Sequence, residues 1–519
     1  MNLLIVHNHY RPGGVRRVIE LAFPALLEAW ETPVTRIVLV GGEPPDGAWL
    51  REFKARAGPA RVVCATEPAA GYVSEQRLAP ATIARRLRRH LEAVLNSLAP
   101  GPCVIWAHNQ CLGRNLLLTQ AVLTAGPARG FPVVMHHHDW WFDNRWARWP
   151  EMLRCGFRTL HDVARTLFPD VPGVRHAAIN QADAAVLKRH LGADAAWIPN
   201  SVEPFPEVTP ERRRRVRAWI RKNIAGGDPV WLVPCRLIRR KNLAEALLLT
   251  RWLRPEAWLV TTGGVSSPAE EDYARRLREA AQEEGWRLRL SVLTGPGTRP
   301  SVPELMASSE AVLLTSLQEG FGLPFIEASA AGRPLMARSL PNIAPDLKAF
   351  GFRLPQVYDE VWVDPQLLDW DAERRRQLRL FRHWLAAIPA SCRSRVPCPA
   401  MLATAAPPSA VAFSRLTLTA QLEVLRQPRE RSWTLCARWN PWLEVWRRRA
   451  GRGALQAARW PRGARHWLSE SAYAGRLASL VATAATSPQH DRGPDCQQDL
   501  LNAKLSPENL YPLLWSSRS

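Results

Sequence analysis

Apolar runs of four to six residues recur along much of the chain, separated by longer stretches whose apolar positions repeat every three or four residues. "NLLIV", "RIVLVG", "RVVCA", "CVIWAH" and "FPVVMHHHD" read as buried strands, and "VRRVIELAFPALLEAW" and "ATIARRLRRHLEAVLNSLA" among them carry helical spacing. Near-continuous apolar strands alternating with helices are what a parallel sheet covered on both faces requires. A Pro-rich stretch from Pro199 to Pro210 interrupts the pattern, and a second series follows: "VWLVPC", "AWLVTTG", "LRLSVLTG", "AVLLTS" and "RPLMAR". Within it "SVPELMASS" opens a helix with a Ser301 to Glu304 capping box. The pattern predicts an α/β chain of two tandem doubly wound, Rossmann-like domains, residues 1–200 and 201–390. In such domains the loops at the carboxyl ends of the strands face a shared cleft, where ligands bind.

From Ser391 the character changes, and residues 391–519 read as a linker and a tail of undefined structure. "FSRLTLTAQLEVLRQP" has helical spacing, and between Arg426 and Trp467 lie eleven Arg, two Glu and six Trp. Such a segment suits docking on anionic lipid or on a neighbouring domain. A poorly ordered tail, or a frameshifted remnant of a GC-rich gene, has the same composition.

The formal net charge of +22 favours anionic partners such as phosphates, nucleotides or acidic lipid. Only six of the 69 basic residues are Lys, however, so a GC-rich genome accounts for part of this excess. No element points to specific nucleic-acid recognition. The nine cysteines are scattered and never spaced as metal-ligand pairs, as expected of free thiols in a reducing compartment. The N-terminal apolar run is too short for a signal peptide and no stretch is long enough to span a bilayer, so the expected location is cytoplasmic, with peripheral contact at the inner face of the membrane as an option. The helix "ATIARRLRRHLEAVLNSLA" offers that contact: Ile83, Leu87, Leu91, Val94 and Leu98 form one face, with Arg85, Arg86, Arg88 and Arg89 around it. A core-packed helix with a solvated basic face fits the same pattern.

Four constellations carry chemistry. "YRPGGVRRVIELA" places Gly13 and Gly14 where the first strand hands over to the first helix, and a helix N-terminus offers N–H groups to a phosphate. "CRLIRRKN" places Arg236 and Lys241 in a strand-to-helix loop, a pair of cations suited to a diphosphate. In "VVMHHHDWWFDNRW" alternation along the strand sends His136, His137 and His138 to opposite faces, which argues against a metal site and for a single cleft-facing His at the strand end. "SLQEGFGLPFIEASAAGRP" sets Glu319 and Glu327 on either side of the turn Gly320, Phe321, Gly322 and Leu323. A carboxylate in the helix can accept two bonds from vicinal hydroxyls, and the turn exposes backbone N–H groups, so the pair brackets a sugar–diphosphate–ribose ligand.

In combination these residues resemble the GT-B glycosyltransferases, and within them the retaining family 4, also described as glycosyl transferases group 1. The Glu, seven residues, Glu pattern from Glu319 through Pro334 carries the resemblance most specifically, with "RPGG", "HHHD", "IPNSVEP", "CRLIRRKN" and "LTGPG" in the family's order over about residues 1 to 350. The resemblance implies that Gly13 and Gly14 touch the donor phosphates and that Arg236 and Lys241 hold the diphosphate. Glu327 binds ribose, while Glu319 and the turn through Leu323 hold the donor sugar. His138 sits by the transferred sugar, with His137 as fallback. It further implies transfer with retention of anomeric configuration, no cofactor beyond the nucleotide-diphosphate sugar, no metal, and a saccharide or lipid-linked saccharide as acceptor. Cys235 stands where the family usually has Gly, and "RLPQVYDEVWVDP" departs from its usual ending. Two other readings remain: a sugar-nucleotide epimerase of the same architecture, and a non-catalytic nucleotide-sugar-binding or membrane-docking protein descended from such an enzyme. Base selectivity is expected to lie around Pro296 to Arg299.

Overall fold

The structure, a computed structural model, describes residues 1–143, 146–202, 208–265, 267–295, 297–483 and 492–515. It divides into two units, one of residues 1–202, 387–392 and 463–504, the other of residues 203–386, 393–462 and 505–519.

The first unit is built on seven parallel strands: β1 (Asn2–Val6), β2 (Arg36–Gly41), β3 (Arg61–Thr66), β4 (Cys103–His108), β5 (Val133–His137), β6 (Val174–Ala178) and β7 (Ala195–Trp197), in the order β3-β2-β1-β4-β5-β6-β7. The chain winds outward from β1 in one direction and from β4 in the other, so the switch point lies between β1 and β4. The strand β6, "VRHAA", has no apolar signature because Arg175 lies inside it, buried against Asp194 at 2.6 Å. The second unit repeats the arrangement with β8 (Val230–Val233), β9 (Trp258–Thr261), β10 (Leu288–Arg289), β11 (Ala311–Leu314), β12 (Leu335–Arg338) and β13 (Gln356–Tyr358), in the order β10-β9-β8-β11-β12-β13. A short antiparallel pair, β14 (Trp362–Val363) and β15 (Val411–Ala412), completes it. At the end of β12 the fully buried Arg338 donates to both Glu245 oxygens at 2.5 Å and to Glu360 at 2.6 Å, and the Tyr358 hydroxyl donates to Glu245 at 2.6 Å.

The tail is folded over its described residues. Helices Leu418–Arg426, Arg429–Cys436 and Pro441–Gly451 belong to the second unit, and Ala464–Leu468, Glu470–Ala482 and Gly493–Lys504 to the first. Its tryptophans are packed rather than held out for lipid: Trp433 against Trp252 at 5.8 Å, Trp442 stacked on Tyr358 at 5.3 Å, Trp460 on Phe352 at 5.5 Å and Trp467 on Trp197 at 4.6 Å. These four rings are half-buried, and covering aromatic area of this size favours their packing on the folded units over exposure to water.

The amphipathic helix Pro80–Asn96 likewise spends its apolar face internally. Ile83, Leu87, Leu91, Val94 and Leu98 are all buried, so that face is closed to a bilayer, and the arginines form a solvated rim on which Arg86 pairs with Glu67 at 2.8 Å. Insertion of this helix face into a membrane is thereby overturned. Among the described residues no helix is long and apolar enough to cross a membrane.

Candidate functional site

In the second unit two loops leave the carboxyl ends of neighbouring strands on either side of the switch point. The first follows β8 and runs from Pro234 to Asn242. It is pinned on one side by the loop after β9: the Gly263 N–H donates to the Cys235 carbonyl at 2.8 Å and the Leu237 N–H to Gly264 at 2.9 Å. A Cβ on Gly263 would meet the Arg236 backbone at 3.2 Å, so the absence of a side chain there permits the close pass. Arg236 itself is exposed. Cys235 is buried in the core, and burial pushes its thiol up to about 12.

The three basic residues after Ile238 have separate partners. Arg239 pairs with Glu270 at 3.1 Å, Arg240 with Glu319 at 3.2 Å, and the buried Lys241 makes a close ion pair with Glu319. Lys241 is further held through its backbone, its carbonyl accepting from the Thr315 hydroxyl at 2.9 Å. Asn242 adopts the left-handed φ of +47° that starts helix Leu243–Leu253, and its side chain accepts from the tail residue Gln421 at 3.1 Å. A residue of the tail therefore braces the loop that carries Lys241.

The second loop follows β11. Burial alone would raise the Glu319 carboxyl, but Lys241 and Arg240 beside it hold it below the usual carboxylate range. Its carbonyl accepts from Asn342 at 2.8 Å, and the Arg240 guanidinium donates to the Gln318 carbonyl at 2.7 Å. Phe321 is buried against Phe350, and Gly322, at φ +72°, caps helix Leu323–Ala330, in which Glu327 is half-buried. Thus Glu319, Lys241 and the turn from Gly320 to Leu323 are brought together by ion pairing and strand order. Arg240, Thr315 and Asn342 complete the site and were not predicted. Arg240 stood in the same basic run, but an Arg-rich chain hides one buried-partner guanidinium among many.

In the first unit Gly13 and Gly14 are exposed at the start of helix Gly14–Leu26. Gly13 is extended at φ 170°, so the backbone places no demand for glycine there. His138 lies one residue past β5 and is 8% exposed. Alternation holds as expected for His137, which turns to the opposite face and shares a 3.0 Å hydrogen bond with His176; it is therefore poorly placed as a fallback. Histidines nonetheless converge on the face opposite His137, contrary to what alternation along one strand predicts, because the neighbouring strand supplies another. His108 ends β4 in register with His136, and register partners in a parallel sheet face the same way. One ring nitrogen from each of His108, His136 and His138 lies within 4.8 Å of the others, and His108 Nδ1 is 3.1 Å from His138 Nε2. His7, after β1, bonds through Nδ1 to the His108 carbonyl at 3.1 Å. Burial lowers all of these imidazoles, His138 to about 4 and His7 to about 3, so they are neutral. Of the stretch expected to select the base, Pro296 lies outside the described residues.

Two tandem doubly wound domains, the second with a basic strand-to-helix loop locked to a Glu-turn-Glu loop, define the class: the fold is of the GT-B type, and residues 217–348 match the family model described as glycosyl transferases group 1. Among curated relatives, a mannosylglucosyl-3-phosphoglycerate synthase of Petrotoga mobilis is 24% identical over 351 residues, 66% of each chain. A mannosylglucosylglycerate synthase of Thermotoga maritima is 27% identical over 256 residues, 46% of this chain and 58% of that one. The chain thus spans less than two thirds of the length of these relatives. A solved sucrose-phosphate synthase from Thermosynechococcus elongatus aligns over 92% of this chain and 97% of its own, at 16% identity and a TM-score of 0.48.

Proposed function

We propose that the protein is a metal-independent, retaining glycosyltransferase that moves a sugar from a nucleotide-diphosphate sugar to a hydroxyl of a saccharide or lipid-linked saccharide. The observation that carries this reading is the Lys241–Glu319–Arg240 cluster at the switch point of the second unit, inside the segment that matches the family. In the resting site Glu319 neutralises the cations and keeps them aimed. A bound diphosphate takes over Lys241 and Arg236, and Glu319 and the Gly320–Leu323 backbone turn to the sugar hydroxyls, with Glu327 on ribose. As the glycosidic bond breaks, charge grows on the departing phosphate and the fixed cations stabilise it. The leaving phosphate then helps to deprotonate the acceptor on the same face, which gives retention. Both named relatives are mannosylglucosyl-type synthases, so a nucleoside-diphosphate mannose is the first donor to test.

The test is a thermal-shift comparison of UDP, GDP, ADP and CMP on the wild type, Glu327→Ala and Lys241→Ala. A ligand at about 100 times its Kd adds roughly 2.7 kcal/mol of apparent stability. One diphosphate should stand out, Glu327→Ala should weaken all ribonucleotides alike, and Lys241→Ala should penalise diphosphates over monophosphates. No stabilisation of the folded chain by any nucleotide or nucleotide-sugar rejects the reading.

A further inference from the structure

We propose that His108, His136 and His138 form a binding site for a divalent first-row transition ion of the zinc type, built into the sheet of the first unit at the carboxyl ends of β4 and β5. Two of the rings come from register partners on adjacent strands and the third from the residue just past β5, each presenting a nitrogen within 4.8 Å of the other two. Zinc–nitrogen bonds of about 2.0–2.1 Å set tetrahedral ligand nitrogens roughly 3.3 Å apart, so small side-chain rotations close the set. All three residues are buried.

Two further observations point to a ligand. His108 Nδ1 and His138 Nε2 face each other at 3.1 Å, and the Nε2 atom of His136 is buried with no side-chain hydrogen-bond partner among the described residues, which is costly in a core. The other nitrogen of His136 is engaged, since Nδ1 shares a 2.8 Å hydrogen bond with the hydroxyl of the fully buried Tyr473. With Nδ1–H donating to that hydroxyl, the Nε2 lone pair is free to ligate. An outer partner that fixes the tautomer and ring angle is the usual companion of a metal-bound histidine. Tyr473 lies in helix Glu470–Ala482, so the tail supplies this partner.

Three imidazoles without a carboxylate favour zinc, cobalt, nickel or copper over magnesium or calcium. They leave a fourth position for water or for an oxygen of a bound molecule. The site takes in His138, which the family resemblance sets beside the transferred sugar, so the ion is assigned a structural role; the metal-independent transfer rests on the diphosphate cations of the second unit and is tested separately by nucleotide binding.

The experiment titrates Co2+, then Zn2+, into the full-length chain after chelation and dialysis, by calorimetry and visible absorption. One Co2+ per chain with the intense visible bands of a low-coordinate site is expected, displaced by one Zn2+. His136→Gln should lose the bands and at least about 100-fold in affinity, Tyr473→Phe should lose about 10–100-fold, and His137→Gln, on the opposite face, should bind as the wild type does. Circular dichroism confirms folding of each variant, and if His136→Gln fails to fold, Tyr473→Phe decides. Absence of Co2+ binding by the folded wild type, or equal binding in Tyr473→Phe and the wild type, overturns the assignment.

Discussion

Replacing Gly322 with Ala tests whether the turn between Glu319 and Glu327 is held by its backbone. Gly322 has φ +72°, and a Cβ there would stand 2.7 Å from Cδ2 of Phe325, whose ring is 1% exposed and has no room to swing. Gly332, at the other end of the same helical segment, has φ +62° with nothing within 4 Å of its added Cβ. Placing an L side chain in the left-handed region costs roughly 1–2 kcal/mol. The stiffer unfolded chain offsets about 0.4–1 kcal/mol of this. Gly332→Ala should therefore lose roughly 0.5–1 kcal/mol. Gly322→Ala adds overpacking of roughly 1–3 kcal/mol, for a total of about 2–4 kcal/mol. At about 2–4 °C per kcal/mol for a unit of this size, Gly322→Ala should melt roughly 4–16 °C lower and Gly332→Ala roughly 1–4 °C lower. Differential scanning calorimetry reads the shift, and hydrogen exchange over residues 311–338 assigns it to the second unit. If Gly322→Ala is no less stable than Gly332→Ala, the strain argument fails.

Arg338→Met should lower stability by about 3–5 kcal/mol in urea unfolding, because Glu245 is left buried without its cation; a loss below about 1 kcal/mol would show that the carboxylate finds water or a proton cheaply. The folded carboxyl of Glu319 lies below its ordinary value of 4.5, so its contribution is complete above that pH and is lost as pH falls through the lower folded value. Glu319→Gln should accordingly flatten the acid limb of the stability profile below about pH 4.5, and an unchanged limb would remove the ion pair from the account. Truncation after Pro428 should abolish cooperative unfolding, since it strips the buried Leu443, Trp446 and Tyr473 from both units; a truncated chain that stays monomeric and binds nucleotide would show the tail to be dispensable.

Much of the architecture was legible because buried parallel strands leave an apolar signature that survives without tertiary information. Both series of strands, the Ser301 capping box and the strand-to-helix position of the Glu319 turn follow from period and punctuation alone. Where a strand buries a charge the signature vanishes: β6 was invisible because Arg175 is satisfied by Asp194, and no local pattern announces a distant partner. Lys241 and Glu319 were each legible as candidate groups for a ligand, but their mutual ion pair was not, because strand order, not chain distance, makes β8 and β11 neighbours. The tail shows the same limit from the other side, since its Trp and Arg content fits lipid, solvent or a protein core equally well, and only the surfaces presented by two folded units selected the last. The histidines are the sharpest case. Alternation along one strand correctly sent His137 away from His136 and His138, yet the face it left them on is shared with β4, and the register that sets His108 beside His136 is a property of the sheet rather than of either segment.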